Sequence, residues 1–285
     1  MVNEFINFCC FARNLCETTC TNYRAHIGLF SDFCVAHAIK LENATQMDVI
    51  NFMAEKRRQG VRASSINQYV VAISAFYDWA KRFKGFATNP AAGIQKMKTE
   101  QLAPVCIPSH IMQIILDRLP SETFQEVRSR LVILLGYHCG LRRREMLELS
   151  VNDVDFSSGV LRVFGKGRKV RLVPMSLQVV ECIRHYLDIR PAMARVDSRL
   201  LVTIAGDPLS YENIAVIVKH ALSKFVAPGL CHCHILRHSF ATACMSKGVP
   251  IESIATLMGH ANIDTTMRYL TISPERVRLQ IQGVF

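Results

Sequence analysis

A predominantly α-helical fold with one small β-hairpin, divided into two domains, is what three observations on this chain of 285 residues predict. Apolar residues recur at helical spacing through most of its length. Two short β-branched runs flank a glycine-containing turn between residues 160 and 173. A polar stretch of weak periodicity separates an all-helical front from a mixed back.

In the front part, Phe5, Phe8 and Cys9 open an apolar stripe, and Tyr23, Ile27, Phe30, Phe33 and Cys34 continue it in a second helix. Thr45 is placed to cap a third helix running to Gln59, with Gly60 as its stop. A fourth starts near Ser64 or Ser65 and carries Ile66, Tyr69, Val70, Ile73, Phe76, Tyr77 and Ala80 on one broad face. These helices form an expected first domain over residues 1–86. Basic runs lie where its helices end: Lys56, Arg57, Arg58 and Arg62, then Lys81, Arg82 and Lys84. Solvated helix ends and polyanion contacts explain such runs equally well.

Residues 87–103, with Asn89-Pro90, Gly93 and the polar run Gln95–Gln101, read as an extended linker. The second domain is then 104–285. Helices are expected at Ser109–Leu119, Phe124–Tyr137 and Arg143–Glu148, and strands at Val160–Phe164 and Val170–Val173 around the basic turn Gly165–Lys169. Helices resume at Leu177–Asp188 and Ser210–Phe225, and another runs from about His234 to Gly248. Pro250 suits the first turn of the next helix, which ends at Met258-Gly259, and Asp264 starts a short helix holding Tyr269.

A chain that is half hydrophobic and only 20% charged is no disordered segment. Its apolar stretches, such as Leu131–Leu135, fall far short of the roughly 18 residues a membrane span needs, so no membrane association is expected. Glu4 and Asn7 interrupt the start where an export signal needs an unbroken apolar run. Eleven cysteines, an odd number, several of them among apolar residues, read as free thiols rather than a disulfide framework. The reducing cytoplasm is the expected compartment. The formal charge of +11 points to a polyanionic partner, nucleic acid first. It is locally concentrated, since Arg162–Arg171 holds five basic residues and no acidic one.

Three blocks of the second domain carry chemistry. They are Gly140-Leu141-Arg142-Arg143-Arg144-Glu145, then Gly165-Lys166-Gly167-Arg168-Lys169-Val170-Arg171, then a series of three short elements. That series is His234-Ile235-Leu236-Arg237-His238, Leu257-Met258-Gly259-His260 and Thr266-Met267-Arg268-Tyr269. Converging arginines offer rigid donor forks matched to the oxygens of one phosphodiester. A tyrosine can serve as a covalent nucleophile. No acidic cluster of the magnesium-binding kind is visible. Cys231, His232, Cys233 and His234 could suggest zinc, but their spacing is not that of structural zinc sites, so no metal site is expected.

The ordered series of these blocks resembles the tyrosine recombinases, the phage-integrase family with its Xer-like and transposon-encoded members, over nearly the whole chain. The resemblance implies a two-domain DNA clamp: a helical, SAM-like core-binding domain in front and a tyrosine recombinase catalytic fold behind. By position, Arg142 and Arg237 resemble the phosphate-clamping arginines, and Lys166 the lysine that protonates the departing 5′ oxygen, with Lys169 its competitor. His234 resembles the acid/base histidine, His260 the histidine that hydrogen-bonds the scissile phosphate, and Tyr269 the nucleophile that forms a 3′-phosphotyrosyl bond. Glu145 supports the arginine block. Arg143, Arg144, Arg168, Lys169, Arg171, Arg57 and Arg58 are candidate DNA contacts. The implied partner is double-stranded DNA with specific core sites, exchanged through a four-way junction by a homotetramer, or a heterotetramer with a paralogue. The apolar segment Leu270–Phe285 is a candidate for docking on a neighbouring protomer. A topoisomerase-like enzyme and a non-enzymatic DNA-binding protein are the alternatives. The chromosomal, plasmid or mobile-element role is not legible.

Overall fold

The computed structural model describes residues 1–99, 105–165, 169–191 and 198–259. The chain forms two compact units, Met1–Gln101 and Leu102–Phe285.

In the first unit α1 (Val2–Asn7) runs into a π-helical turn, Phe8–Ala12, and α2 spans Glu17–Ala36. The apolar stripe that opens the chain therefore crosses a widened turn rather than lying on one regular helix. Helix α3 (Gln46–Arg58) starts as expected: Thr45 Oγ1 accepts from the Asp48 N–H while Asp48 Oδ2 accepts from the Thr45 N–H. Helix α4 (Ala63–Lys84) ends at Gly85, whose φ of +72° suits a residue without Cβ. Phe5, Ile27, Phe30, Phe52, Phe76 and Tyr77 fill the core, with Phe30 edge-on to Phe52 at 5.4 Å between ring centres. The buried Tyr77 hydroxyl donates to Leu41 O at 2.7 Å.

The stretch expected as a linker is irregular, yet its first part packs on this unit. Ala91 is buried, Asn67 exchanges two hydrogen bonds with the Met97 backbone, and Asn89 Nδ2 donates to Asp78 Oδ1 at 2.8 Å. Its few apolar side chains, Ile94 and Met97, also lie against the core, which its polar composition concealed.

The second unit is built on α6 (Phe124–Tyr137), where every residue from Leu131 to Gly136 is buried. A helical half apolar all round has to sit at the centre, and α5 (Ser109–Arg118), α8 (Leu177–Asp188), α9 (Tyr211–Leu222) and α10 (Cys233–Ser246) contribute to the same core. Helix α7 (Arg143–Glu148) follows α6 after one tight turn, and α11 (Ile251–Met258) follows α10. The sheet has three antiparallel strands in the order β1 (Val154–Asp155), β2 (Val160–Phe164), β3 (Val170–Pro174). Strand β1 is too short to show alternation, which is why only the other two are legible in the sequence. Several boundaries also shift: α9 ends at Leu222 rather than Phe225, α10 starts one residue before His234, and Pro250 caps α11 instead of lying in its first turn.

Among the described residues no helix is long and apolar enough to cross a membrane. All eleven cysteines are free thiols.

Candidate active site

Arg142 occupies the N-cap of α7, where a serine or threonine is usual. Its backbone N–H donates to Glu145 Oε2 and its Nη1 to Glu145 Oε1, both at 2.8 Å. One carboxylate thus orients the main chain and the side chain of the same arginine. The preceding turn needs Gly140: its φ is +63°, and a Cβ there would lie 2.5 Å from Phe240 Cδ1 on α10. That close approach lets Arg237 Nη1 on α10 donate to Gly140 O at 2.6 Å, so the first and third sequence blocks meet.

Glu145 is the centre of the arrangement. It is 5% exposed and is gripped bidentately by Arg171, Nη1 to Oε1 at 2.9 Å and Nη2 to Oε2 at 2.8 Å. Arg237 Nη1 lies 3.9 Å from Oε2. The other anchor is the end of α11, whose last carbonyls have no partner in the helix and carry its negative dipole end. Leu257 O accepts from Arg171 Nε at 2.6 Å, Met258 O from Arg237 Nη2, and Gly259 O from Arg142 Nη2 at 3.1 Å. Three consecutive carbonyls therefore take one arginine each. Three guanidinium charges face one carboxylate, so the cluster is cationic. Arg237 is buried and the Arg171 side chain is 9% exposed, whereas the Arg142 side chain keeps 34% of its surface open to solvent.

His234 stands one turn before Arg237 on α10 and is exposed at the rim of this cluster. Although it reaches solvent, enough protein surrounds the ring that desolvation, followed by the charges of Arg237 and the neighbouring His232, Arg143 and Arg142, lowers its pKa from the ordinary 6.5. It is thus held neutral near pH 7. The adjacent His232 is the N-cap of α10, with Nδ1 accepting from the Ile235 N–H at 3.2 Å. Cys231 Sγ donates to Ala227 O at 3.5 Å. Among the described residues no three His, Cys, Asp or Glu side chains converge as metal ligands.

The remaining candidates divide. Arg143 lies 3.2 Å over the Tyr211 ring, a close cation–π contact, and Arg144 pairs with Glu148 at 2.7 Å on the surface. Lys169 is exposed beside β3, and Arg57 and Arg58 are exposed at the end of α3 in the first unit. Arg171, a candidate DNA contact, has its guanidinium turned inward onto Glu145. Lys166, Arg168, His260 and Tyr269 lie outside the described residues. Of the tyrosines that could compete as nucleophile, Tyr186 is buried with its hydroxyl accepting from the Val202 N–H, and Tyr211 lies under Arg143. What the sequence reading missed is the pairing of Arg171 with Glu145 and the carbonyl row Leu257–Gly259; the glycine closing α11 was the available signal for the latter.

Comparison with known proteins agrees with this architecture. The phage integrase family model matches residues 109–276, and the model of the phage integrase N-terminal SAM-like domain matches residues 2–84. The chain is 31% identical over 254 residues to tyrosine recombinase XerC of Chromobacterium violaceum, covering 89% of this chain and 84% of that one. It is 30% identical over 276 residues to the XerC of Escherichia coli O157:H7, covering 94% and 90%. Two solved structures share the fold at 18% identity. The Tn1549 transposon integrase in complex with circular intermediate DNA gives a TM-score of 0.76 over 98% of each chain. The XerH recombinase bound to a palindromic difH substrate gives 0.77 over 99% of this chain and 84% of that one. Both units match their counterparts in the order the sequence presents them, and the chain belongs to the phage integrase family as a tyrosine-type site-specific recombinase.

Proposed function

We propose that the protein cleaves and rejoins duplex DNA at specific core sites through a 3′-phosphotyrosyl intermediate on Tyr269, with two rounds of exchange passing through a four-way junction. The observation that carries this reading is the cationic cluster around Glu145, with Arg142 half-open to solvent and a neutral His234 one turn from Arg237. Arg142 has five N–H donors, and two of them are held by Glu145 and Gly259. The others are available to the non-bridging oxygens of a phosphodiester, where preorganised charge stabilises the pentacoordinate transition state. Arg237, fixed from below, adds its positive charge to the same place.

In the step we infer, the Tyr269 oxygen forms a bond to phosphorus while the bond from phosphorus to the 5′ oxygen breaks. His234, neutral, accepts the tyrosine proton, and Lys166 gives a proton to the departing 5′ oxygen. Strand joining is the reverse, with a 5′ hydroxyl of the exchanged strand attacking the phosphotyrosine. The step is isoenergetic in bond type, so it calls for neither a nucleotide cofactor nor a metal. Residues 1–86 serve as the core-binding half of a clamp and 104–285 as the catalytic half, and a tetramer of this chain, or of this chain and a paralogue, brings two sites together. The complexes of the Tn1549 integrase and XerH with DNA support DNA as the substrate.

The test uses a duplex library with a randomised core and a nick that lets the cleaved fragment diffuse away. The full chain is expected to be trapped on a subset of sequences as a covalent adduct, and Tyr269→Phe to give none. An adduct with Tyr269→Phe, or no adduct with the unaltered chain on any sequence, refutes the reading. Four-way junctions formed from two recovered sites separate recombination from simple nicking and resealing.

A further inference from the structure

We propose that Arg171 is a positioning residue of the cleavage reaction, acting on the scissile phosphate only through the Glu145 cluster. The inference rests on the function just proposed and assigns a role to a residue outside the expected catalytic set.

Arg171 sits on β3, opposite Val163 of β2, just beyond the basic turn of the hairpin. Its three nitrogens reach two other parts of the unit at once: Nη1 and Nη2 grip both oxygens of Glu145 on α7, and Nε holds Leu257 O at the end of α11. The turn after α11 rests directly on this guanidinium. A Cβ at Gly259 would stand 3.0 Å from Arg171 Nη1 and 3.3 Å from its Cζ, close enough to press the guanidinium aside, and its φ of +61° favours glycine as well. The side chain is 9% exposed, which leaves it little surface to offer to DNA.

The consequence lies in what Glu145 does without it. With Arg171 in place, each carboxylate oxygen accepts from Arg171 and also from Arg142, Oε1 from its side chain and Oε2 from its backbone. Glu145 takes one Nη of Arg142 and Gly259 O a proton of the other, which leaves the remaining donors of the fork for a phosphate. Without Arg171 the buried carboxylate has two vacant acceptor positions. The nearest donors are Arg142 and Arg237, the latter already 3.9 Å away. Either would rotate toward Glu145 and away from a bound phosphate. A lysine at 171 restores the charge but not the planar, two-point grip. The effect therefore falls on transition-state stabilisation, while the many backbone contacts that hold the duplex persist.

The experiment compares the full-length chain with Arg171→Lys and Arg171→Met on one duplex recovered from the randomised library. Three forms of the scissile linkage are used: the ordinary phosphate, a neutral methylphosphonate and a 5′-bridging phosphorothiolate. Single-turnover adduct formation, duplex affinity and far-ultraviolet circular dichroism are measured for each variant. On the ordinary phosphate Arg171→Lys is expected to cleave about 100-fold more slowly, the loss typical of one misplaced oxyanion donor, with affinity within about threefold of the parent. The methylphosphonate, which carries no charge for the arginines to hold, should shrink that deficit to below about tenfold. The phosphorothiolate, whose sulfur leaves without protonation, should leave it unchanged.

Four results overturn the proposal: unchanged cleavage by both variants, a deficit that the methylphosphonate leaves intact, a deficit that the phosphorothiolate relieves, or loss of the native fold in both variants. The third would place Arg171 with the leaving-group proton, and the fourth would make it purely structural. Failure of the unaltered chain to form any adduct refutes the proposed function instead, so the two failures are distinguishable.

Discussion

Replacing Glu145 with glutamine removes the one negative charge among three guanidinium groups while nearly keeping the side chain's shape. The amide nitrogen then presents donors to an arginine that is itself only a donor. A charge pair 4 Å apart interacts by about 4 kcal/mol at an effective dielectric constant of about 20. Breaking a buried, hydrogen-bonded pair by removing one partner costs about 3–5 kcal/mol. In a unit the size of Leu102–Phe285, each kcal/mol lowers Tm by about 2–4 °C, so Glu145→Gln should melt about 6–20 °C below the parent.

The difference should also depend on pH in a definite direction. Burial alone raises the Glu145 pKa, but hydrogen bonds from the Arg171 side chain and the Arg142 backbone outweigh it, and the net shift is downward from 4.5. A carboxyl whose folded pKa is depressed stabilises the protein above its unfolded pKa and loses that contribution as pH falls through the folded value. The gap between parent and variant should therefore be full at pH 6–7 and narrow below about pH 4. Thermal unfolding followed by circular dichroism across that range measures it. A gap under 2 °C at neutral pH, or one that widens on acidification, would show that Glu145 does not hold the cluster together.

Gly140→Ala adds a Cβ 2.5 Å from Phe240 at a backbone φ of +63°, so it should cost about 1–3 kcal/mol in chemical denaturation. It should also slow adduct formation, since Gly140 O anchors Arg237; a variant as stable and as fast as the parent contradicts that. His234 carries a pKa below the usual 6.5 because of burial and its arginine neighbours. As the proton acceptor it has to be neutral, so the acid limb of cleavage should be centred below pH 6.5. Single-turnover rates from pH 5 to 8 should show this acid limb in the parent and lack it in His234→Gln, and a limb centred above 6.5 excludes the assignment. In the first unit, Thr45→Ala removes one half of the capping box on α3 and should destabilise by about 1 kcal/mol, read from denaturant midpoints; a neutral effect would mean the cap is dispensable.

Much of the architecture is written in short-range signals. Thr45 with Asp48 marks the start of α3, and Thr123 with Glu126, three residues apart, caps α6 in the same manner. The apolar periodicity of α4 and the alternation of β2 are equally local, because each depends only on neighbours within a turn or along a strand. The order of the three blocks, with the cationic and phenolic groups they carry, was likewise open to reading, and it led to the family.

What the sequence could not decide is which of its many cations face the solvent. Arg143, Arg144, Arg168 and Arg171 look alike in a basic segment, since residue type states a charge and not its surroundings. Only the folded chain brings Glu145 to Arg171, 26 residues on, and Arg142 to the carbonyl of Gly259, 117 residues on. These contacts exist because a buried carboxylate and an unsatisfied helix end both require partners, and the packing of α7, β3 and α11 determines which arginines supply them. The same holds for His232, whose place as a helix cap rather than a ligand is set by where α10 begins. Local propensity built the elements; desolvation of a few polar groups at their meeting point chose the partners and left Arg142 facing outward.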